Sequence, residues 1–311
     1  MAQIQRLIDS SHFSEALQQL NVLADQTPEP PGVEWLRGMA LYQQGSLQPA
    51  AAAFAKAASQ DPNNRQAVLM QGVSLFRMGK PGAAIPLLEQ SHTSVSATNV
   101  DANYVLGLCY LDTRRYDDAR RAFAAEYGFR PDGPSAYLLV ARLMLRREYL
   151  PVAEQSVRKA LELDPSLPLA NLLLGEIDLA QAKLPAAISD FEKERTLNPL
   201  YPGLYDRLGD AYIRAGDLDK AQHSLDRAII LEPNSTGPFI LLGKVLLKQK
   251  NPAMATMYLQ HALLMDPGNY MAHTLLGQAY RAAGRTEDAS REFQTAEKIQ
   301  AANVPKLQVA H

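Results

Sequence analysis

The sequence predicts an all-α fold, a right-handed α-α superhelix of antiparallel helix pairs, and three phased series of residues predict it. Glycine recurs at Gly38, Gly72, Gly107, Gly175, Gly209, Gly243 and Gly277, spaced 34 or 35 residues apart with one double interval that Ala141 divides. Twelve residues after each stands alanine, from Ala50 and Ala84 through Ala119, Ala153, Ala187, Ala221 and Ala255 to Ala289. Twenty-four residues after most of them stands proline: Pro62, Pro131, Pro165, Pro199, Pro233 and Pro267. A fixed period of this length, phased over a whole chain, marks an array in which each unit buries its apolar face only against its neighbours.

The units follow in chain order. A degenerate one spans 1–30, with a short first helix around Ile4, Leu7 and Ile8 and a second carrying Ala16, Leu20 and Leu23 ahead of Pro28. Eight full units begin near Pro31, Arg65, Val100, Pro134, Pro168, Pro202, Thr236 and Tyr270, and a tail occupies 300–311. Inside a unit the apolar residues share a helical face, as Phe54 and Ala57 do at a spacing of three. A mid-helix glycine costs about 1 kcal/mol against alanine, so it needs a reason. Close approach of the second helix supplies one, with the alanine twelve residues on as the expected counterpart. Gly45, Gly79, Gly216 and Gly284 mark the turn between the two helices. The late proline stops the second helix and opens the next unit. The second full unit departs from the pattern, with Ser91 and Ser96 in place of the usual alanine and proline and a one-residue insertion, which predicts a looser joint at 91–99. After Ala296 no capping helix is evident.

The segments Leu208-Gly209-Asp210-Ala211-Tyr212 with Ala221, Ala228 and Pro233, and Leu276-Gly277-Gln278-Ala279-Tyr280 with Ala289, Phe293 and Ala296, carry a family pattern. They resemble tetratricopeptide repeats, whose units run Leu-Gly, Tyr, Ala, Phe, Ala, Pro. The resemblance covers the chain from end to end as a single array, and it implies a protein-binding scaffold. It also implies where a partner sits: positions 5, 9 and 12 of each first helix, with 2 and 13, line the concave face.

Position 12 is apolar almost throughout, which is the mark of contact between neighbouring first helices. Position 9 reads Met39, Val73 and Leu108, then Arg142, Glu176, Asp210, Lys244 and Gln278. The wall is therefore expected to be apolar in the amino-terminal third and charged beyond. Trp35, Met39, Tyr42, Leu69, Val73, Phe76, Tyr104 and Leu108 are the candidate residues for an apolar peptide or helix, followed by Arg142, Arg146, Glu176 and Asp210. The competing expectations are that the degenerate unit covers this strip, or that two copies pair through it. Between Arg114 and Lys159 ten basic residues outweigh six acidic ones, whereas between Ala160 and Tyr205 three basic residues face seven acidic ones. Such blocks steer charged partners or pair head to tail. No unit carries the Lys and Asn pairing at positions 5 and 9 with which one subgroup of the family grips carboxylate tails.

The expected activity is binding without catalysis. The six histidines are scattered without the close helical spacing of a zinc site, there is no Gly-x-Ser-x-Gly elbow, and Gly79-Lys80 lacks the earlier glycine of a phosphate loop. Cys109, the one cysteine, excludes an internal disulfide and reads as a buried small apolar residue. No cofactor or metal is expected. A net charge of −2 gives no general pull toward nucleic acid, and no apolar run is long enough to span a bilayer. These features favour a cytoplasmic protein, with the periplasm open if a signal peptide was trimmed. The alternative is the recognition arm of a larger enzyme or secretion machine whose catalytic part lies outside this chain.

Overall fold

The computed structural model describes residues 1–91 and 101–303, and all regular structure among them is helical. Among the described residues eighteen helices fall into two compact units, Met1–Arg147 and Glu148–His311. The first unit holds α1 (Ala2–Asp9), α2 (Phe13–Ala24), α3 (Val33–Gln43), α4 (Leu47–Gln60), α5 (Arg65–Arg77), α6 (Pro81–Ser91), α7 (Ala102–Asp112), α8 (Tyr116–Tyr127) and α9 (Pro134–Arg146). The second holds α10 (Leu150–Leu163), α11 (Ala170–Ala180), α12 (Leu184–Leu197), α13 (Pro202–Ala215), α14 (Leu218–Leu231), α15 (Thr236–Lys248), α16 (Pro252–Met265), α17 (Tyr270–Ala282) and α18 (Thr286–Asn303). Odd-numbered helices begin within two residues of the expected repeat starts. The last helix runs on to Asn303, so the first residues of the expected tail are helical; 304–311 lie outside the described residues. The joint expected at 91–99 also falls outside them, apart from Ser91, which ends α6 buried with its hydroxyl donating to the Leu88 carbonyl.

The glycines of the first helices make room for a close second helix, as the spacing suggests, but the residue they admit is a different one. A Cβ at Gly175 would lie 2.4 Å from Cε1 of Phe191, and one at Gly107 would lie 2.5 Å from Cε1 of Phe123. Gly38 meets Phe54, Gly209 meets Leu225 and Gly243 meets Leu259 in the same way. The counterpart is the large apolar residue sixteen positions on, not the alanine at twelve. That alanine is fully buried in its own right at Ala50, Ala84, Ala119, Ala187, Ala221 and Ala255. At the pairs that carry this glycine, the bulky knob on the second helix thus enters a hole that a side chain would fill.

The turn between paired helices is stereotyped. A residue with positive φ recurs at Ser11, Gly45, Gly79, Arg114, Glu148, Ala182, Gly216, Lys250 and Gly284, once per helix pair. The degenerate first unit therefore turns as the others do. Five of the nine positions carry a side chain in the left-handed region, which costs about 1–2 kcal/mol each and leaves no glycine signal in the sequence.

Pairs are joined to the next pair by a recurring polar clip. The Tyr110 hydroxyl donates to Glu89 at 2.5 Å while the Arg115 guanidinium lies 4.5 Å over its ring. Tyr212 donates to Glu192 at 2.8 Å under Lys220, and Tyr280 accepts from Gln260 at 2.9 Å under Arg285. In α11 that position holds Asp178, and the helix is secured elsewhere: the buried Glu194 carboxylate accepts from the backbone N–H groups of Leu169 and Leu172 at 2.8 and 3.3 Å. Among the described residues no helix is long and apolar enough to cross a membrane.

Candidate partner-binding face

First helices touch the next first helix directly, as α5 does α7, α11 does α13, α13 does α15 and α15 does α17. Second helices pack on the first helices to either side, so the first helices form one layer of each unit. Positions 5, 9 and 12 of that layer are the candidate face.

In the first unit this row is partly closed by its own packing. Leu69 and Val73 are 0% and 3% exposed, so they belong to the core and not to an open strip. They sit where α5 is pressed between α4 and α7, and the helical register that puts them on the right stripe says nothing about how deep that stripe lies. Trp35, Met39, Tyr42, Phe76, Tyr104 and Leu108 are half-buried and keep part of their surface. Trp35 tilts against Phe54 at 5.5 Å between ring centroids, and Met39 and Tyr42 lean on the cluster of Ala50, Phe54 and Met70. The degenerate pair contributes here too, because Trp35 also packs on the cluster of Ile4, Ile8, Ala16 and Leu20. Arg77 lies 4.8 Å over the Tyr42 ring, and Tyr104 meets Phe123 at 5.8 Å. On α9, Arg142 and Arg146 are exposed and have no ion-pair partner among the described residues.

In the second unit the charged positions are mostly satisfied. Glu176 accepts from Arg207 at 2.7 Å, and Asp210 pairs with Arg214 at 2.8 Å. Asp206, at position 5 of α13, was not singled out by its residue type, yet its Oδ1 is enclosed and no donor among the described residues reaches it. Burial pushes its carboxyl above the usual range, with nearby Arg207 pulling the other way. A further cleft of about 670 Å³ lies between α12, α13 and α14, lined by Glu192, Arg195, Tyr205, Tyr212, Lys220, His223, Ser224 and Arg227. Burial and the Glu192 hydrogen bond hold the Tyr212 hydroxyl up at about 12. Cys109 is fully buried, as its register suggests, and burial raises its thiol to about 12, far from thiolate chemistry. No group of three or more histidine, cysteine or carboxylate side chains among the described residues could hold a metal.

Four family models match parts of the chain. Three are models of the tetratricopeptide repeat, over residues 1–65, 202–235 and 246–309, and the fourth is anaphase-promoting complex, cyclosome, subunit 3, over residues 43–126. Among solved structures, YrrB, described as a TPR protein with an unusual peptide-binding site, shares 24% identity at a TM-score of 0.51, covering 60% of this chain and 95% of its own. MamA from Desulfovibrio magneticus RS-1 shares 17% identity at a TM-score of 0.51, covering 55% of this chain and 97% of that one. A further MamA structure reaches 22% and 0.50, covering 57% and 97%. At these identities the likeness is one of fold. A search among curated proteins found no match.

Proposed function

The chain is a tetratricopeptide repeat protein, a fold that serves as a scaffold for protein–protein interaction, and we propose that it acts without catalysis by holding a peptide or helix on its concave first-helix face. The observation that carries the reading lies on α9. Arg142 and Arg146 stand at positions 9 and 13, exposed and unpaired among the described residues, while Glu176 and Asp210 at the equivalent position 9 are bound to neighbouring arginines. Two free guanidinium groups continuing a row of half-buried Met39, Tyr42, Phe76, Tyr104 and Leu108 suit a segment with apolar residues and a carboxylate. The peptide-binding site ascribed to YrrB supports a peptide as occupant.

The test is a crosslinking pull-down with mass spectrometry, followed by affinity measurement on the partner recovered. Arg142→Glu with Arg146→Glu is expected to weaken binding at least about tenfold, in line with charge-assisted hydrogen bonds worth about 1.5–3 kcal/mol. Unchanged affinity, or capture of a second copy of this chain alone, refutes the assignment. Val73 is unsuitable as a probe, since an aspartate there would be buried.

A further inference from the structure

The second unit holds a cationic cleft on a different stripe of α13 from the candidate face. Its volume is about 670 Å³, and it opens between the second helices α12 and α14, over α13. Tyr205 and Tyr212 on its wall stand at positions 4 and 11 of α13, whereas the candidate face uses positions 5, 9 and 12. Arg195 reaches the cleft from α12, and Lys220, His223 and Arg227 reach it from α14. All four are exposed, so a ligand can touch them. The repeat does not call for these residues. The places of Lys220, His223 and Arg227 hold Ala186, Ser189 and Lys193 on α12, and Met254, Met257 and His261 on α16.

The lining uses up its one carboxylate and leaves cations over. Glu192 accepts from the Tyr212 hydroxyl at 2.8 Å through Oε1 and pairs with Arg195 at 2.5 Å through Oε2. Lys220 is held by Asp217 at 2.8 Å. Arg227 has no hydrogen bond or ion pair among the described residues, so its five N–H donors are free. His223 donates from Nδ1 to the Asp219 carbonyl at 2.8 Å, which leaves Nε2 unused. The Asp226 carboxyl lies near enough to feel His223, and burial pushes it up from the usual range. Both tyrosine hydroxyls are committed, Tyr205 to the Pro199 carbonyl and Tyr212 to Glu192, so these residues offer ring surface rather than donors.

The donors stand on two separate helices. A carboxylate presents two oxygens in one plane, whereas a phosphoryl group presents three in a tetrahedral array and can be met from both walls. The volume lies in the range of small-molecule sites, about 300–1,000 Å³, and has room for more than a bare anion. We propose that this cleft binds a phosphate monoester, with Arg227 and Arg195 as donors to the phosphoryl oxygens and the organic part against Tyr205. The proposal is independent of the concave-face reading. The ester is either a free small molecule or a phosphorylated side chain of another protein, and the choice of probes separates the two.

The test is isothermal titration calorimetry of the full chain with adenosine monophosphate, N-acetyl-O-phosphoserine amide and inorganic phosphate. At least one ester should bind about tenfold or more tightly than inorganic phosphate, and Arg227→Gln should weaken it by about tenfold or more. Lys193→Gln, at the same place on α12 but outside the cleft and paired with Asp190, should stay within about twofold. Circular dichroism checks that Arg227→Gln stays folded, as expected for an exposed, unpaired side chain. In NMR spectra the ring resonances of His223 should shift on ester binding. Preference for the nucleotide assigns the site to a small molecule, and preference for the phosphoserine amide assigns it to a protein partner; either supports the proposal. Esters no tighter than inorganic phosphate, affinity unmoved by Arg227→Gln, or an unshifted His223 overturns it. So does the absence of binding by all three probes at millimolar concentration.

Discussion

Gly175→Ala offers a direct measure of how the helix pairs are held together. Helix propensity alone favours the alanine by about 1 kcal/mol. Against that stands the added methyl, 2.4 Å from Cε1 and 2.6 Å from Cδ1 of Phe191, where carbon atoms normally keep about 3.5–4.0 Å. The ring must retreat by about 1 Å, and it is 0% exposed, packed among Leu172, Ala187 and Leu204. Overpacking of this kind costs about 1–3 kcal/mol, so the net expectation is a loss of about 0–2 kcal/mol despite the better propensity. Urea denaturation followed by circular dichroism reads the change, and a double-mutant cycle isolates its cause. Phe191→Val removes the ring and should itself cost about 2–3 kcal/mol. In that background Gly175→Ala should become neutral or stabilising, which amounts to a coupling of about 2 kcal/mol. If Gly175→Ala stabilises the native sequence, or if the two changes simply add, the knob-and-hole account of the glycine period is wrong.

Other perturbations test the turns, the buried carboxylate and the pH response. Ala182→Gly and Lys250→Gly replace side chains held at φ 60° and 61°, so each should raise the melting temperature through a net gain of about 0.5–1 kcal/mol once glycine's added backbone entropy is set against the strain relieved; a fall would refute the strain. Glu194→Ala strips the acceptor from two backbone N–H groups opening α11 and should cost about 3 kcal/mol in denaturant titration, whereas Glu162→Ala on the exposed face should cost little. Glu126 bonds to Asp101, which together with partial burial lifts its carboxyl from 4.5 to about 7. The folded chain therefore holds a proton there that the unfolded chain releases above its ordinary value. That contribution to stability is complete below pH 4.5 and is lost as pH rises through about 7. Melting temperature should drop across this window, and Glu126→Gln should flatten the slope; an identical profile in the variant would show that another group is responsible.

The fold was legible because its period is written in residues with few other uses in a helix. Glycine under Phe191 and proline after α12 are backbone constraints, and such constraints repeat wherever the geometry repeats. The turns were legible only in part. Arg114, Glu148, Ala182 and Lys250 adopt the same left-handed conformation as Gly45 and Gly216, but tertiary packing imposes it on side chains that carry no turn signal. The helix α18 shows the converse: Gln300 to Asn303 lack the repeat pattern, yet nothing in them breaks a helix already nucleated by Thr286–Lys298.

The candidate face shows what periodicity cannot supply. Register assigns Leu69, Asp206 and Thr274 to the same stripe, position 5, because 3.6 residues per turn fixes direction. Depth is set by what the neighbouring helix brings to that point, and this differs at each junction. At α5 the neighbours close over Leu69 completely; at α13 the next helix offers Gly237, and a carboxylate is enclosed without being bonded. Identical positions in a repeat array are therefore chemically independent, and their roles separate according to local satisfaction. Paired groups such as Glu176 and Arg207 stabilise the array, while Arg142 and Arg146 retain bonding capacity that the described residues do not use. It follows that Glu176→Gln should act on stability, and on binding only through it, whereas Arg142→Gln with Arg146→Gln should act on binding with little loss of stability. If instead the double arginine variant shifts the melting temperature as much as Glu176→Gln does and leaves partner affinity alone, unsatisfied polar groups on this layer do not report function.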